Sequence, residues 1–93
     1  MKFLGQHEAL AFLRQHPARA DTVRAWLAEI RNRNWPSAEA MAADFRAIDA
    51  TDLPRVVFDL DPAGIQIETL VDFRNGVVLL TGFRRTAALL SLT

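Results

Sequence analysis

The chain has 93 residues, no cysteine, and eleven acidic against eleven basic side chains, with 51% of its residues apolar. That length suits one domain burying roughly 60 to 65% of the surface its unfolded form exposes, and the lack of cysteine excludes a disulfide framework or a Cys-ligated zinc site. Zero formal net charge removes the argument from high pI to nucleic acid; no apolar run reaches the ~18 residues of a membrane span and no secretory leader opens the chain, so a soluble cytoplasmic protein is expected.

Lys2 to Leu4 reads as a short edge strand, and Gln6 to Gln15 as a first helix with Ala9, Leu10, Phe12 and Leu13 on its apolar side. Pro17 suits the first position of a second helix, about 17 to 33, because its missing N–H would be unpaired there in any case. Within it Val23, Trp26, Leu27 and Ile30 recur at i, i+3, i+4 and i+7, a core-facing stripe. "NWPSAEAMAADF" predicts a turn and a third helix, capped by Ser37, with Glu39 at its positive end and Met41, Phe45 and Ile48 as its apolar ridge.

After Pro54 the period becomes extended. "RVVFDL" (55–60), "IQIETLVDF" (65–73) and "VVLLTGF" (77–83) predict three strands separated by "DPAG" and "RNGV". Asn75-Gly76 suits a two-residue type I′ turn, which sets Phe73 opposite Val78, Val71 opposite Leu80 and Thr69 opposite Gly82 on a core face. The other face then carries Gln66, Glu68, Leu70, Asp72, Leu79, Thr81 and Phe83, too polar to be sealed and too apolar to be plain surface. Residues 84–92 end the chain as a strand exit and a short helix or docked tail. The expected fold is α+β: N-terminal helices packed on one face of a three- to four-stranded antiparallel sheet, the other face open.

Charge is uneven along this frame. Ten of the eleven cations are arginine; Arg14, Arg19, Arg24, Arg31 and Arg33 outnumber Asp21 and Glu29, whereas Glu39, Asp44, Asp49 and Asp52 outnumber Arg46. No nucleophile triad, glycine-rich phosphate loop or zinc spacing occurs, and His7 and His16 without a third ligand make a poor metal site. No metal or cofactor is expected.

Trp26 and Trp35, the Pro36-Ser37 helix start, Arg55-Val56-Val57-Phe58 and Asp72-Phe73 stand in an order and spacing that closely resembles the HigB family of bacterial type II toxins, within the RelE-like mRNA interferases. The resemblance covers essentially the whole chain. It implies a single toxin domain over residues 1–93, an endoribonuclease that cleaves mRNA, often on the ribosome, and so inhibits translation, and a helix-turn-helix antitoxin as partner. No membrane and no small-molecule cofactor enter. Two stretches depart from the family: its Asn-Lys-Tyr-Arg-Leu-like segment is Ala63-Gly64-Ile65-Gln66-Ile67 here, and its closing Thr-His-x-Glu-Tyr-Asp-like motif reads Arg85-Thr86-Ala87-Ala88-Leu89-Leu90. A second expectation therefore stands beside the first, a toxin-fold protein without cleavage that acts by binding its antitoxin, and operator DNA through it.

Cleavage of RNA by its own 2′-hydroxyl needs a base, an acid, and cations for the charge that develops on phosphate. On a functional reading of the strand-end cations and the open face, Arg85 and Arg55 hold the scissile phosphate, Arg84 a neighbouring one, and Glu68, the carboxylate in the middle of that face, is the base. Gln66 or Thr86 orients the ribose, Phe83 stacks a base, Arg74 adds charge at the turn, and Arg31 and Arg33 line the rim or meet an acidic antitoxin segment. Each has a blander reading: strand-end arginines in water or paired with Glu68 and Asp72, Phe83 packed under the C-terminal segment, and a solvated arginine face on the second helix.

Overall fold

The computed structural model describes residues 1–45, 47–60 and 64–85, with Arg85 described in its backbone alone. β1 (Lys2–Leu4) turns at Gly5 into α1 (Gln6–Gln15), a 3₁₀ turn (Pro17–Arg19) leads into α2 (Ala20–Asn32), and α3 (Ala38–Asp44) follows. β2 (Ile48–Asp52), β3 (Arg55–Leu60), β4 (Ile65–Asp72) and β5 (Val77–Arg85) complete the fold. The strands form one sheet in the order β1-β5-β4-β3-β2, antiparallel except for the parallel pair β1–β5. The architecture is α+β with the helices packed on one face, and the sheet has five strands where three or four were expected.

The helices follow their apolar spacing with three corrections. In α1 the buried residues are Ala9 and Phe12, while Leu10 is 44% exposed. The second helix does not start at Pro17: Arg19 N–H bonds the carbonyl of His16, closing a tighter turn, and the α-helix proper begins at Ala20. Val23, Trp26 and Ile30 are buried along α2 as their spacing requires. Ser37 caps α3, its Oγ accepting from Ala40 N–H at 3.2 Å. That helix stops at Asp44, where Phe45 turns to extended backbone, so Ile48 is not on its ridge. Ile48 and Ala50, half-buried, alternate with exposed Asp49 and Thr51 as the edge strand β2.

The register of the β4–β5 hairpin also differs. Asp72 faces Val77 across a four-residue loop, because only Gly76 adopts a left-handed φ (68°) and Asn75 does not, as a type I′ turn would need. The Asp72 carboxylate holds the loop instead, accepting from Asn75 N–H (3.0 Å) and Nδ2 (2.7 Å). Val71 thus pairs with Val78 and Thr69 with Leu80, a shift of two that keeps the residues from Val77 to Leu80 on their expected faces. Further along, the pairing steps from Thr69–Leu80 to Glu68–Gly82, leaving Thr81 as a bulge residue. The bulge places Leu80 and Gly82 on opposite faces, turns Phe83 inward beside Ile67, and turns Arg84 outward beside Gln66.

Ile65, Ile67, Val71, Val78, Leu80, Val56 and Phe58 form the sheet side of the core against Phe12, Val23, Trp26, Ile30 and Met41. Burial of each large aliphatic chain contributes about 1.5 to 3 kcal/mol. A run of ring contacts, Phe3–Trp26 (5.9 Å), Trp26–Phe58 (5.3 Å), Phe58–Phe45 (5.0 Å) and Phe45–Trp35 (5.4 Å), joins strand β1 to the segment around α3. Buried Thr69 is satisfied, its hydroxyl donating to the Val56 carbonyl at 2.7 Å. The Met1 ammonium donates to the carbonyls of Ile30 (3.0 Å) and Arg33, setting a positive charge on the negative end of α2. Among the described residues no helix is long and apolar enough to cross a membrane.

Candidate functional site

The sheet face away from the helices is left uncovered by the described residues, and its side chains fall into cross-strand rows. Leu4, Leu79, Leu70 and Arg55 are in register across β1, β5, β4 and β3. Asp49, Val57, Glu68 and Gly82 form the next row, and Asp59, Gln66 and Arg84 the one beyond. The first row is mainly apolar, with Leu4, Leu70 and Leu79 exposed over a groove of about 590 Å³. The other two are polar.

At the centre of the polar part, Glu68 takes an arginine from each flanking strand. Arg55 donates from Nε (3.2 Å) and Nη2 (3.0 Å) to Oε1, and Arg84 Nε lies 2.8 Å from Oε2. The two approach on opposite diagonals, since Arg55 pairs in register with Leu70 and Arg84 with Gln66, one step either side of Glu68 on that face. The Glu68 side chain is 17% exposed, against 39% for Arg55 and 62% for Arg84. The arginine ends of these pairs are open to water and to an incoming anion, while the carboxylate they share is mostly buried.

Beside this cluster lies a hollow of about 290 Å³, lined by Arg55, Val57, Gln66, Asp49 and Asp59 with Ala47 and Ile48. Thr51, through its hydroxyl and then its backbone N–H, holds Asp49 below the usual carboxylate range, with the charge of Arg55 adding to the effect. Among the described residues no group of three or more His, Cys, Asp or Glu is placed to hold a metal ion.

The other sequence candidates are dispersed. Gln66 belongs to the hollow. Phe83 is not on the uncovered face: the bulge turns it inward, where it stacks on Phe12 at 4.1 Å and 13°. Arg74 sits exposed in the hairpin loop, about 20 Å along the strand from Glu68. Arg31 and Arg33 belong to the helical layer. Arg33 pairs with Glu29 (3.0 Å) and Asp44 (2.9 Å) and lies over the Trp35 ring (5.7 Å), while Trp35 Nε1 donates to Asp44 at 2.6 Å. Its hydrogen bond to Glu29, then the charge of Asp44, raises the Arg33 guanidinium above its ordinary range. The backbone of Arg85 pairs with Ile65, its side chain lies outside the described residues, and so does Thr86.

Sequence reasoning missed Val57, Asp59, Asp49 and Gly82 as parts of this face. Alternation in "RVVFDL" would have found the first two, which share parity with Arg55. Asp49 was hidden because the third helix was carried to Ile48 and no strand was expected between it and Arg55, and Gly82 by the bulge.

Chemically, the cluster offers two guanidinium forks suited to an oxyanion and one carboxylate suited to accept a proton. A scan against protein families gives no match to this chain, and a search of curated proteins finds no significant relative.

Proposed function

We propose that this chain is a HigB-like toxin, a cytoplasmic mRNA endoribonuclease whose active centre is Arg55, Glu68 and Arg84 on the uncovered sheet face. The observation that supports this reading is the convergence of two arginines, from β3 and β5, on a single carboxylate of the strand between them. In the reaction a phosphodiester of single-stranded RNA takes over the two guanidiniums, which stabilise its developing charge. The released Glu68 accepts the proton of the adjacent 2′-hydroxyl. The 2′-oxygen bonds to phosphorus, the bond from phosphorus to the 5′-oxygen breaks, and that oxygen takes a proton from water, leaving a 2′,3′-cyclic phosphate and a 5′-hydroxyl. The toxin resemblance supplies mRNA as substrate and a helix-turn-helix antitoxin as partner.

Induced expression in a bacterium tests the proposal. Growth arrest with truncated transcripts is expected, and Glu68→Gln and Arg55→Ala should each lower single-turnover cleavage of purified RNA by about 100-fold or more, the scale of a lost general base or oxyanion donor. Growth without arrest and intact RNA would sink it.

A second reading has its own observation. Both oxygens of Glu68 are engaged and Asp49 and Asp59 line the hollow, an arrangement that repels a polyanion. On that reading the chain binds its antitoxin, and operator DNA through it, without cutting RNA. Tight antitoxin binding with no arrest is the outcome that selects it.

A further inference from the structure

We propose that Arg55, Arg84 and Gly82 form a phosphodiester subsite whose resting occupant is the carboxylate of Glu68. The inference rests on the nucleic-acid reading above for its ligand. A carboxylate and a phosphodiester are both monoanions that present two equivalent oxygens, and a guanidinium fork matches either. Glu68 receives two N–H donors from Arg55, at 3.2 and 3.0 Å, and an ion pair from Arg84 on the other flanking strand, whose Nε lies 2.8 Å from its second oxygen, so guanidiniums of two strands meet it as they would a bridging phosphate. Its own strand is central and its side chain mostly buried, so the carboxylate is fixed in place, while Arg84 is 62% exposed and can turn toward a ligand.

Gly82 is the second observation. It stands directly across the ladder from Glu68, and its φ is not left-handed, so its backbone does not demand glycine. A Cβ built there meets nothing within 4 Å among the described residues. Glycine inside a strand weakens it, and a frequent reason for one is the close approach of another backbone. Here the missing side chain leaves a notch on the uncovered face between the rows of Leu79 and Arg84, where the adjacent bulge at Thr81 also bends the strand. A sugar-phosphate chain can lie in that notch with its phosphate between the two arginines. Glu68 then has two effects that oppose each other: it lowers the affinity of the site for an anion, and once displaced it stands next to that anion as a proton acceptor.

The test separates binding from cutting with a single-stranded 2′-deoxy oligonucleotide, which lacks the attacking hydroxyl. Glu68→Gln, folded with wild-type Tm, should bind it about 10-fold more tightly than wild type, the scale on which a like charge next to a phosphate opposes binding. Asp59→Asn removes the same charge from the same face and should change affinity by less than about 3-fold, since it touches neither guanidinium. Adding Arg84→Ala to Glu68→Gln should abolish the gain. Adding Gly82→Val should abolish it too with Tm unchanged or raised, Gly82→Ala serving if the valine chain does not fold. An affinity of Glu68→Gln equal to wild type, an equal gain from Asp59→Asn, or a gain that survives Arg84→Ala or Gly82→Val overturns the subsite. Inorganic phosphate should displace the oligonucleotide only at far higher concentration; saturation by phosphate alone at a lower one assigns a free-anion site and overturns the proposal as well. RNA left uncut by the wild type while these results hold removes the nuclease and leaves the subsite. RNA cut while Glu68→Gln binds no better removes the subsite and leaves the nuclease.

Discussion

Alanine at position 5 would put a Cβ 2.8 Å from that of Leu80 on a backbone with φ of 105°. Strain and clash together should make Gly5→Ala cost about 2 to 4 kcal/mol, measured by urea unfolding. The need for glycine there is not legible in the sequence, because it arises when the parallel pairing of β1 with β5 presses the turn onto Leu80. Asp72 is a different case: "RNGV" advertised a turn, but Asp72 was read as a strand residue of the open face, and only the structure shows its carboxylate tying the loop. Hydrogen bonds from the Asn75 side chain and then its backbone hold Asp72 below the usual carboxylate range, as Thr51 does for Asp49. Groups with a depressed folded pKa contribute stability that is fully present above the unfolded value, ~4, and lost as pH falls through the folded one. Tm should therefore fall as the pH drops below about 4, and Asp72→Asn combined with Asp49→Asn should flatten that decline in a calorimetric series.

At the level of elements, a side chain that caps a helix was a better guide than proline, since Pro17 opened a 3₁₀ turn and not α2. Ser37 marked the start of α3, and Ser37→Ala should lower stability by about 1 kcal/mol in a denaturant titration. The end of α3 carried no such mark, and β2 was lost there because five residues of alternation follow directly on a helical run. The hairpin register was off by two for a related reason, since Asn-Gly permits a type I′ turn and the Asp72 side chain selects a longer loop. Neighbouring positions on β4 give a direct check of the faces. Ile67→Ala should cost about 2 to 5 kcal/mol and Leu70→Ala less than about 1, because the first points into the core and the second outward. The end of α2 is a third case. Residues added ahead of Met1 would turn its ammonium into an amide with one N–H, leaving the carbonyl of Ile30 or Arg33 without that donor, and Tm should drop by about 4 to 8 °C for each kcal/mol lost.

For the molecule as a whole, sidedness was the most legible property. Alternation along two strands was enough to say that one face of the sheet meets the helices and the other does not, and a register error of two residues leaves that conclusion intact. Which charges meet on the outer face was only half legible: Glu68 and Arg55 follow from parity, but Arg84 reaches the same point only because Thr81 interrupts the ladder. That interruption has an unusual corollary. A chain lacking Thr81 would have an unbroken ladder in which Gly82 still opposes Glu68 and Phe83 still opposes Ile67, with the same outward and inward residues as before. Shortening the protein by this one residue would therefore subtract only the local coiling of the strand, and whatever such a chain failed to do would be owed to curvature and not to chemistry.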